Sequence, residues 1–241
     1  MKLQHKTARI ADIPALIYFS ESPEKAGERG TILLYHGLGA SKEKNAKELA
    51  SLACAGFLAI GIDNVGHGER RYADYDHKFS SWEGDFEQNF LTAIRETVDE
   101  VPRLFDTLIE MGYSNPHKLG VTGISMGGFI TYGAVVHERR LKAAAPVLGS
   151  PKWRINHSGS PHHNTDNFFP TALLSQNAGD DEHVSPRPAR EFIEVLKPYY
   201  QEAPERLKHV EFPGVRHIMP EKEWNELWHN VLEWFHSFMR E

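Results

Sequence analysis

The residues with the most chemical potential are Gly123-Ile124-Ser125-Met126-Gly127, followed by Gly128. A serine in a G-x-S-x-G run suits a tight, strained turn between a strand and a helix. Such a turn projects the hydroxyl from the end of a sheet, and glycines keep side chains out of a crowded backbone crossing. The N-terminus of the following helix then points at the site and favours a developing anion. A serine hydroxyl is a weak nucleophile and needs a base oriented by an acid. The order expected along such a chain is serine, acid, histidine. The stretch Asn177-Ala178-Gly179-Asp180-Asp181-Glu182-His183-Val184-Ser185-Pro186 offers three acids. Asp181 is the expected partner, Asp180 is the alternative, and Glu182 reads as a solvated side chain. His217, after the turn Pro213-Gly214-Val215-Arg216, is the expected base. His209, His229 and His236 fall in a strand or in the last helix. Acyl transfer also needs donors aimed at the oxyanion. The backbone N–H groups of Met126 and of Leu38, in His36-Gly37-Leu38-Gly39, are the candidates. His36 is expected to order that loop through hydrogen bonds rather than act as a base.

The elements that must hold these residues alternate in type. Residues 3–10 and 14–20 read as two strands, and 21–30 as a turn region. Thr31 to Tyr35 and Phe57 to Ile62 are continuous apolar runs, which suit strands buried on both faces. Between them a helix starts at Ser41 and ends at Gly56. Residues 64–84 read as loop. A long helix is expected from Asp85 to Met111, with Pro102 predicting a kink or break. Strands at 118–122, 143–148, 171–176 and 209–212 alternate with helices at 126–138, 187–200 and 221–239. This alternation implies an α/β fold with a mostly parallel sheet covered on both faces. Residues 149–170 read as loop, too short for a domain of their own, so residues 1–241 are expected to form one domain.

Composition narrows the function classes. The chain has 241 residues, 40% hydrophobic and 25% charged, an ordinary globular balance that excludes collagen, coiled coil and disorder. A net charge of −6 argues against a nucleic-acid partner. No apolar run reaches the ~20 residues of a membrane span, and the N-terminus shows no signal-peptide pattern. A cytoplasmic protein without a membrane partner, a monomer or small homo-oligomer, is expected. The lone cysteine, Cys54, lies in an apolar run and reads as a small buried residue. His157, His162, His163 and Asp166 match no zinc spacing, so no metal and no organic cofactor is expected. The walls of a substrate pocket are placed in 64–84 and 149–170, with Trp82, Trp153, Phe168 and Phe169 as an apolar acyl site. Arg70 and Arg71 are read as structural salt-bridge partners, and the acids Asp74, Asp76, Glu83, Asp85 and Glu87 as a solvated face.

These motifs give the chain a family resemblance. His36-Gly37, Asp63 with Gly66-His67-Gly68, Gly123 to Gly127, Asp181 with Val184-Ser185-Pro186, and His217 resemble the α/β-hydrolases over about residues 14 to 239. More closely, Tyr35-His36-Gly37-Leu38-Gly39, Ser41-Lys42-Glu43 and His67-Gly68-Glu69-Arg70 resemble small single-domain bacterial carboxylesterases. These shade into the dienelactone hydrolase and prolyl-oligopeptidase-like branches. The resemblance implies an eight-stranded, mostly parallel sheet with an antiparallel second strand, and Ser-Asp-His hydrolysis of ester or related bonds. Two departures stand out. The acid loop begins Asn177-Ala178 where the family commonly has His-Gly, and the nucleophile is serine where dienelactone hydrolases use cysteine. The cap is reduced to loops near 149–170. A serine carboxylesterase acting on a small, short-chain ester is therefore the expectation. A peptidase or amidase with the same machinery, and a non-catalytic binding protein, are the alternatives.

Overall fold

The computed structural model describes residues 2–79 and 85–239. Eight strands form one sheet: β1 (Gln4–Ile10), β2 (Ile13–Phe19), β3 (Thr31–Tyr35), β4 (Leu58–Ile62), β5 (Leu119–Ile124), β6 (Leu141–Val147), β7 (Ala172–Ala178) and β8 (Leu207–Phe212). Their order is β1-β2-β4-β3-β5-β6-β7-β8. β2 runs antiparallel to both its neighbours, β1 and β4, and the pairings from β4 to β8 are all parallel. This is the sheet the resemblance implied.

The helices are α1 (Pro23–Arg29), α2 (Ala46–Cys54), α3 (Tyr75–Phe79), α4 (Phe86–Asp99), α5 (Val101–Glu110), α6 (Met126–His137), α7 (Arg187–Leu196) and α8 (Glu221–Met239). The central strands are apolar at successive residues because both sheet faces are covered. Leu33 and Tyr35 of β3 join one core with α4, α5, α6 and α7. Ile32 and Leu34 join the other, with α2 and α8. The carboxyl ends of the strands therefore lie between two helical layers, where ligands bind in open α/β sheets.

Three elements differ from the sequence reading. Residues 23–29, read as turn, form a helix; Ser22 Oγ accepts from Lys25 N–H at 3.4 Å and Pro23 occupies the first turn. The expected single helix over 85–111 is two, divided at Glu100. Pro102 sits in the first turn of α5, where its missing N–H leaves no bond unmade. Cys54 is exposed, not buried. The buried stripe of α2 is Glu48, Leu49, Leu52 and Ala53, and Cys54 falls outside it.

Among the described residues, no helix is long and apolar enough to cross a membrane, and no group of three or more His, Cys, Asp or Glu could hold a metal.

Candidate active site

Ser125 stands at the sharp turn from β5 into α6, with φ 57° and ψ −112°. A non-glycine residue rarely adopts this conformation, which costs about 1–3 kcal/mol and persists where its surroundings over-determine it. Those surroundings are visible. Ser125 N–H donates to Val147 O at 2.9 Å, and Ser125 O accepts from Gly128 N–H at 2.8 Å. A Cβ on Gly123 would lie 2.3 Å from Gly127 O, and one on Gly127 would lie 2.0 Å from Tyr35 O. Only glycine fits either place.

The acid and the imidazole come from the turns after β7 and β8. Ser125 Oγ–H donates to His217 Nε2 at 3.0 Å, and His217 Nδ1–H donates to Asp181 Oδ2 at 2.6 Å. A carboxylate accepts only, so Nδ1 carries the proton and Nε2 is left basic toward the serine. Asp181 Oδ1 is held in turn by the N–H groups of His183 at 2.9 Å and Val184 at 2.7 Å. The Asp181 side chain is fully buried and that of His217 is 12% exposed. Asp180 is exposed, and its backbone N–H donates to Val215 O. Glu182, read as solvated, has partners: its Oε2 accepts from His217 N–H at 3.2 Å and its Oε1 pairs with Arg216 at 2.8 Å. Its own backbone N–H, then that of His217, and the Arg216 charge lower its pKa.

Met126 begins α6 directly after the serine, and Leu38, in the turn after β3, shares a cavity lining with Ser125. Gly37 brings that turn against Ser125: a Cβ there would lie 3.7 Å from Ser125 Cβ. His36 orders the turn. Its Nδ1–H donates to Gly37 O at 2.8 Å, and its Nε2 accepts from Asn64 N–H at 3.2 Å. Burial pushes its pKa down to about 4, so the ring is neutral.

The Asp63 and Gly66-His67-Gly68 motif braces the site from below. Asp63 is fully buried. Its Oδ1 accepts from Lys42 N–H at 2.8 Å, and its Oδ2 from Lys42 Nζ at 2.9 Å and Glu69 N–H at 3.0 Å. Burial opposes the Lys42 charge, but hydrogen bonds to Glu69, Asp63 and Glu43 outweigh it and hold the ammonium above the usual lysine range. Arg70 makes a two-pronged ion pair with Glu100 at 2.6 and 2.7 Å, and Arg71 pairs with Asp76 at 2.9 Å, the structural roles expected.

A cavity of about 520 Å³ opens over Ser125 and His217. One wall comes from the α4 and α6 layer, with Phe90 and Phe129 packed edge to face at 5.5 Å. The other comes from the start of α2 and from α8, with Lys44, Asn45, Glu48 and Trp224. Ile218, 81% exposed, stands at its edge. Of the residues proposed from sequence for the acyl site, the three described do not line this cavity. Phe168 is fully buried and packs on Phe192 at 4.9 Å. Phe169 packs edge to face on Tyr200 at 5.3 Å. Both are held against the α7 region, away from the cavity. Trp153 is buried and lines an adjoining cleft of about 450 Å³ with Arg154 and His183. Trp82 lies outside the described residues. Phe90, Phe129 and Trp224, which do line the cavity, lie on helices and are not among the expected pocket residues.

A strained serine at the carboxyl edge of this eight-stranded sheet, bonded through a histidine to an aspartate, defines the α/β-hydrolase class. The family model described as "Serine aminopeptidase, S33" matches residues 26–168, more than half of the chain, and the chain belongs to this hydrolase family. A Bacillus subtilis (strain 168) protein named "Putative esterase YitV" is 23% identical over 237 residues, covering 86% of this chain and 89% of its own. The crystal structure of TT1662 from Thermus thermophilus superposes with a TM-score of 0.82 at 19% identity, covering 100% of both chains. The acylaminoacyl peptidase of Pyrococcus horikoshii matches with a TM-score of 0.71 at 16% identity, covering 100% of this chain and 42% of its own.

Proposed function

We propose that the protein is a serine carboxylesterase acting on small, short-chain esters through an acyl-enzyme. The observation that carries this reading is the continuous chain Ser125 Oγ to His217 Nε2 and His217 Nδ1 to Asp181 Oδ2, at 3.0 and 2.6 Å. Ser125 attacks the ester carbonyl carbon while His217 Nε2 takes its proton. Asp181 keeps the imidazole in the required tautomer and stabilises the imidazolium. The N–H groups of Leu38 and Met126 receive the oxyanion. His217 then protonates the departing alcohol. In the second half it takes a proton from water, the hydroxide adds to the acyl carbon, and the acyl–Oγ bond breaks as His217 returns the proton to Ser125 Oγ. This cycle calls on no metal and no organic cofactor.

The esterase name of the Bacillus relative supports the ester class. The cavity, about 520 Å³ and walled on one side by Phe90 and Phe129, suits a short apolar acyl group. The fold shared with the acylaminoacyl peptidase favours a second reading, hydrolysis of amides or peptides by the same groups.

Initial rates on p-nitrophenyl esters from acetate to palmitate, with Ser125→Ala in parallel, test the proposal. A short-chain optimum that disappears in the variant is expected. Undiminished turnover by Ser125→Ala, or no turnover at any chain length, refutes it. Faster release from aminoacyl-nitroanilides than from esters establishes the second reading instead.

A further inference from the structure

Glu48 is a buried acid that this hydrolysis does not use. It lies in the first turn of α2, is 9% exposed, and lines the cavity beside Asn45 and Trp224. Both its carboxylate oxygens meet neutral donors: Trp224 Nε1–H at 3.1 Å and Asn45 Nδ2–H at 3.4 Å. Neither has a cationic partner among the described residues. A carboxylate offers about four acceptor positions, and a buried charge without a counter-ion is costly to keep.

Asn45 adds a second, independent observation. It is 7% exposed, lines the same cavity, and its Oδ1 is buried without a hydrogen-bond partner. Its amide cannot simply turn over, because Oδ1 would then face the Glu48 carboxylate. Lys44 lines the same wall but makes no ion pair with Glu48 among the described residues, so Glu48 and Asn45 keep unfilled acceptor positions there, while Phe90 and Phe129 stand on the other wall. The apolar wall suits the acyl chain, which leaves the wall with Glu48 and Asn45 for the alcohol.

Building on the esterase reading, we propose that Glu48 and Asn45 form a leaving-group subsite, selecting esters whose alcohol portion carries a hydrogen-bond donor, a hydroxyl or a protonated amine. The carboxylate takes the donor; Asn45 holds the carboxylate in place. Trp224 Nε1–H fixes the other oxygen.

The test compares kcat/KM for 2-hydroxyethyl butyrate, 2-(dimethylamino)ethyl butyrate and propyl butyrate, in wild type and Glu48→Gln. The three share one acyl group and differ at the end of the alcohol. Wild type is expected to prefer at least one donor-bearing ester by about tenfold over propyl butyrate, the scale of a hydrogen bond to a charged group. Whichever of the two leads identifies the donor as neutral or cationic. In Glu48→Gln the preference is expected to fall toward parity. Glutamine retains an oxygen for Trp224, so a role confined to anchoring Trp224 leaves the ratio unchanged and overturns the proposal. Equal rates on all three esters in wild type overturn it too. The ratio is taken within one preparation, so any loss of folded enzyme cancels.

Failure of the esterase reading itself shows separately, as an absence of turnover of all three. The subsite is then read by thermal stabilisation of Ser125→Ala with the same compounds. A larger rise in Tm with a donor-bearing ester than with propyl butyrate supports it, and equal shifts overturn it.

Discussion

Replacing Asp181 by asparagine separates the two acids of the loop and tests the tautomer argument directly. Two backbone donors, His183 N–H at 2.9 Å and Val184 N–H at 2.7 Å, converge on Oδ1. The amide oxygen of asparagine is expected to take that place. Turning the amide over would set its NH2 against both donors and leave them unsatisfied, at about 1–3 kcal/mol each. The NH2 therefore faces His217 Nδ1 across a contact that is 2.6 Å in the native chain. Two donors cannot share it, so the imidazole moves its proton to Nε2. That nitrogen then donates toward Ser125 and no longer takes its proton. The expected loss is about ten-thousandfold in kcat, or about 5.5 kcal/mol of transition-state stabilisation at ~1.4 kcal/mol per decade. The assay is kcat on p-nitrophenyl butyrate, with Asp180→Asn as the control. Asp180 is exposed, so that variant is expected to stay within about threefold of wild type, an ordinary surface substitution. Activity of Asp181→Asn within about tenfold of wild type, or a collapse in Asp180→Asn instead, would refute the reasoning.

Ser125→Gly should lose turnover yet gain about 1 kcal/mol of stability, because glycine adopts the positive φ without strain; an unchanged or lower urea midpoint would contradict this. Lys42→Met leaves the fully buried Asp63 carboxylate without its ammonium. It is expected to destabilise by about 3–5 kcal/mol, measured by chemical denaturation. His36 has a folded pKa of about 4 against 6.5 in the unfolded chain, so the unfolded chain binds the proton more readily. Its contribution is fully present above pH 6.5 and is lost as pH falls toward 4, by about 3 kcal/mol in total. The urea midpoint of His36→Gln should consequently fall less between pH 7 and 4.5 than that of wild type, and parallel slopes would show the assignment to be wrong.

The sheet was legible because its signals are local. Thr31 to Tyr35 and Phe57 to Ile62 are unbroken apolar runs, and the glycine spacing around Ser125 marks one particular turn. Turn position also points to His217 and to the loop of the acid, where Asp181 is preferred and Asp180 stays open; the structure bonds Asp181 to His217 and His217 to Ser125. The cavity wall was not legible. Phe90 recurs with the apolar positions of its helix and Phe129 lies in a helix buried on nearly all sides, and neither pattern says whether a residue meets a neighbour or a void. Phe168 and Phe169 failed for the converse reason: aromatic residues in a segment rich in Gly, Pro and Ser suggested a pocket, but the chain there folds back onto Phe192 and Tyr200. Helix α1, with 7 residues, is too short for an apolar period to emerge, and its signal was the cap Ser22-Pro23. Glu182 is exposed, as read, but its partners, Arg216 and the His217 backbone, come from the turn after β8 and left no local signal.

The ion pair between Lys42 and Asp63 has a consequence for how this chain can diverge. Lys42 is anchored to Asp63 by both its backbone N–H and its Nζ, and three residues further on comes Asn45, followed by Glu48. The wall with Glu48 and Asn45 thus hangs from a buried ion pair, whereas Phe90 and Phe129 rest on ordinary apolar packing. Volume changes in a core are tolerated in small steps, while a half-removed buried ion pair is not. Descendants of this chain should therefore drift readily in the acyl groups they accept and hold steady in the alcohols. Where the alcohol does change, positions 42 and 63 should be found to have changed together.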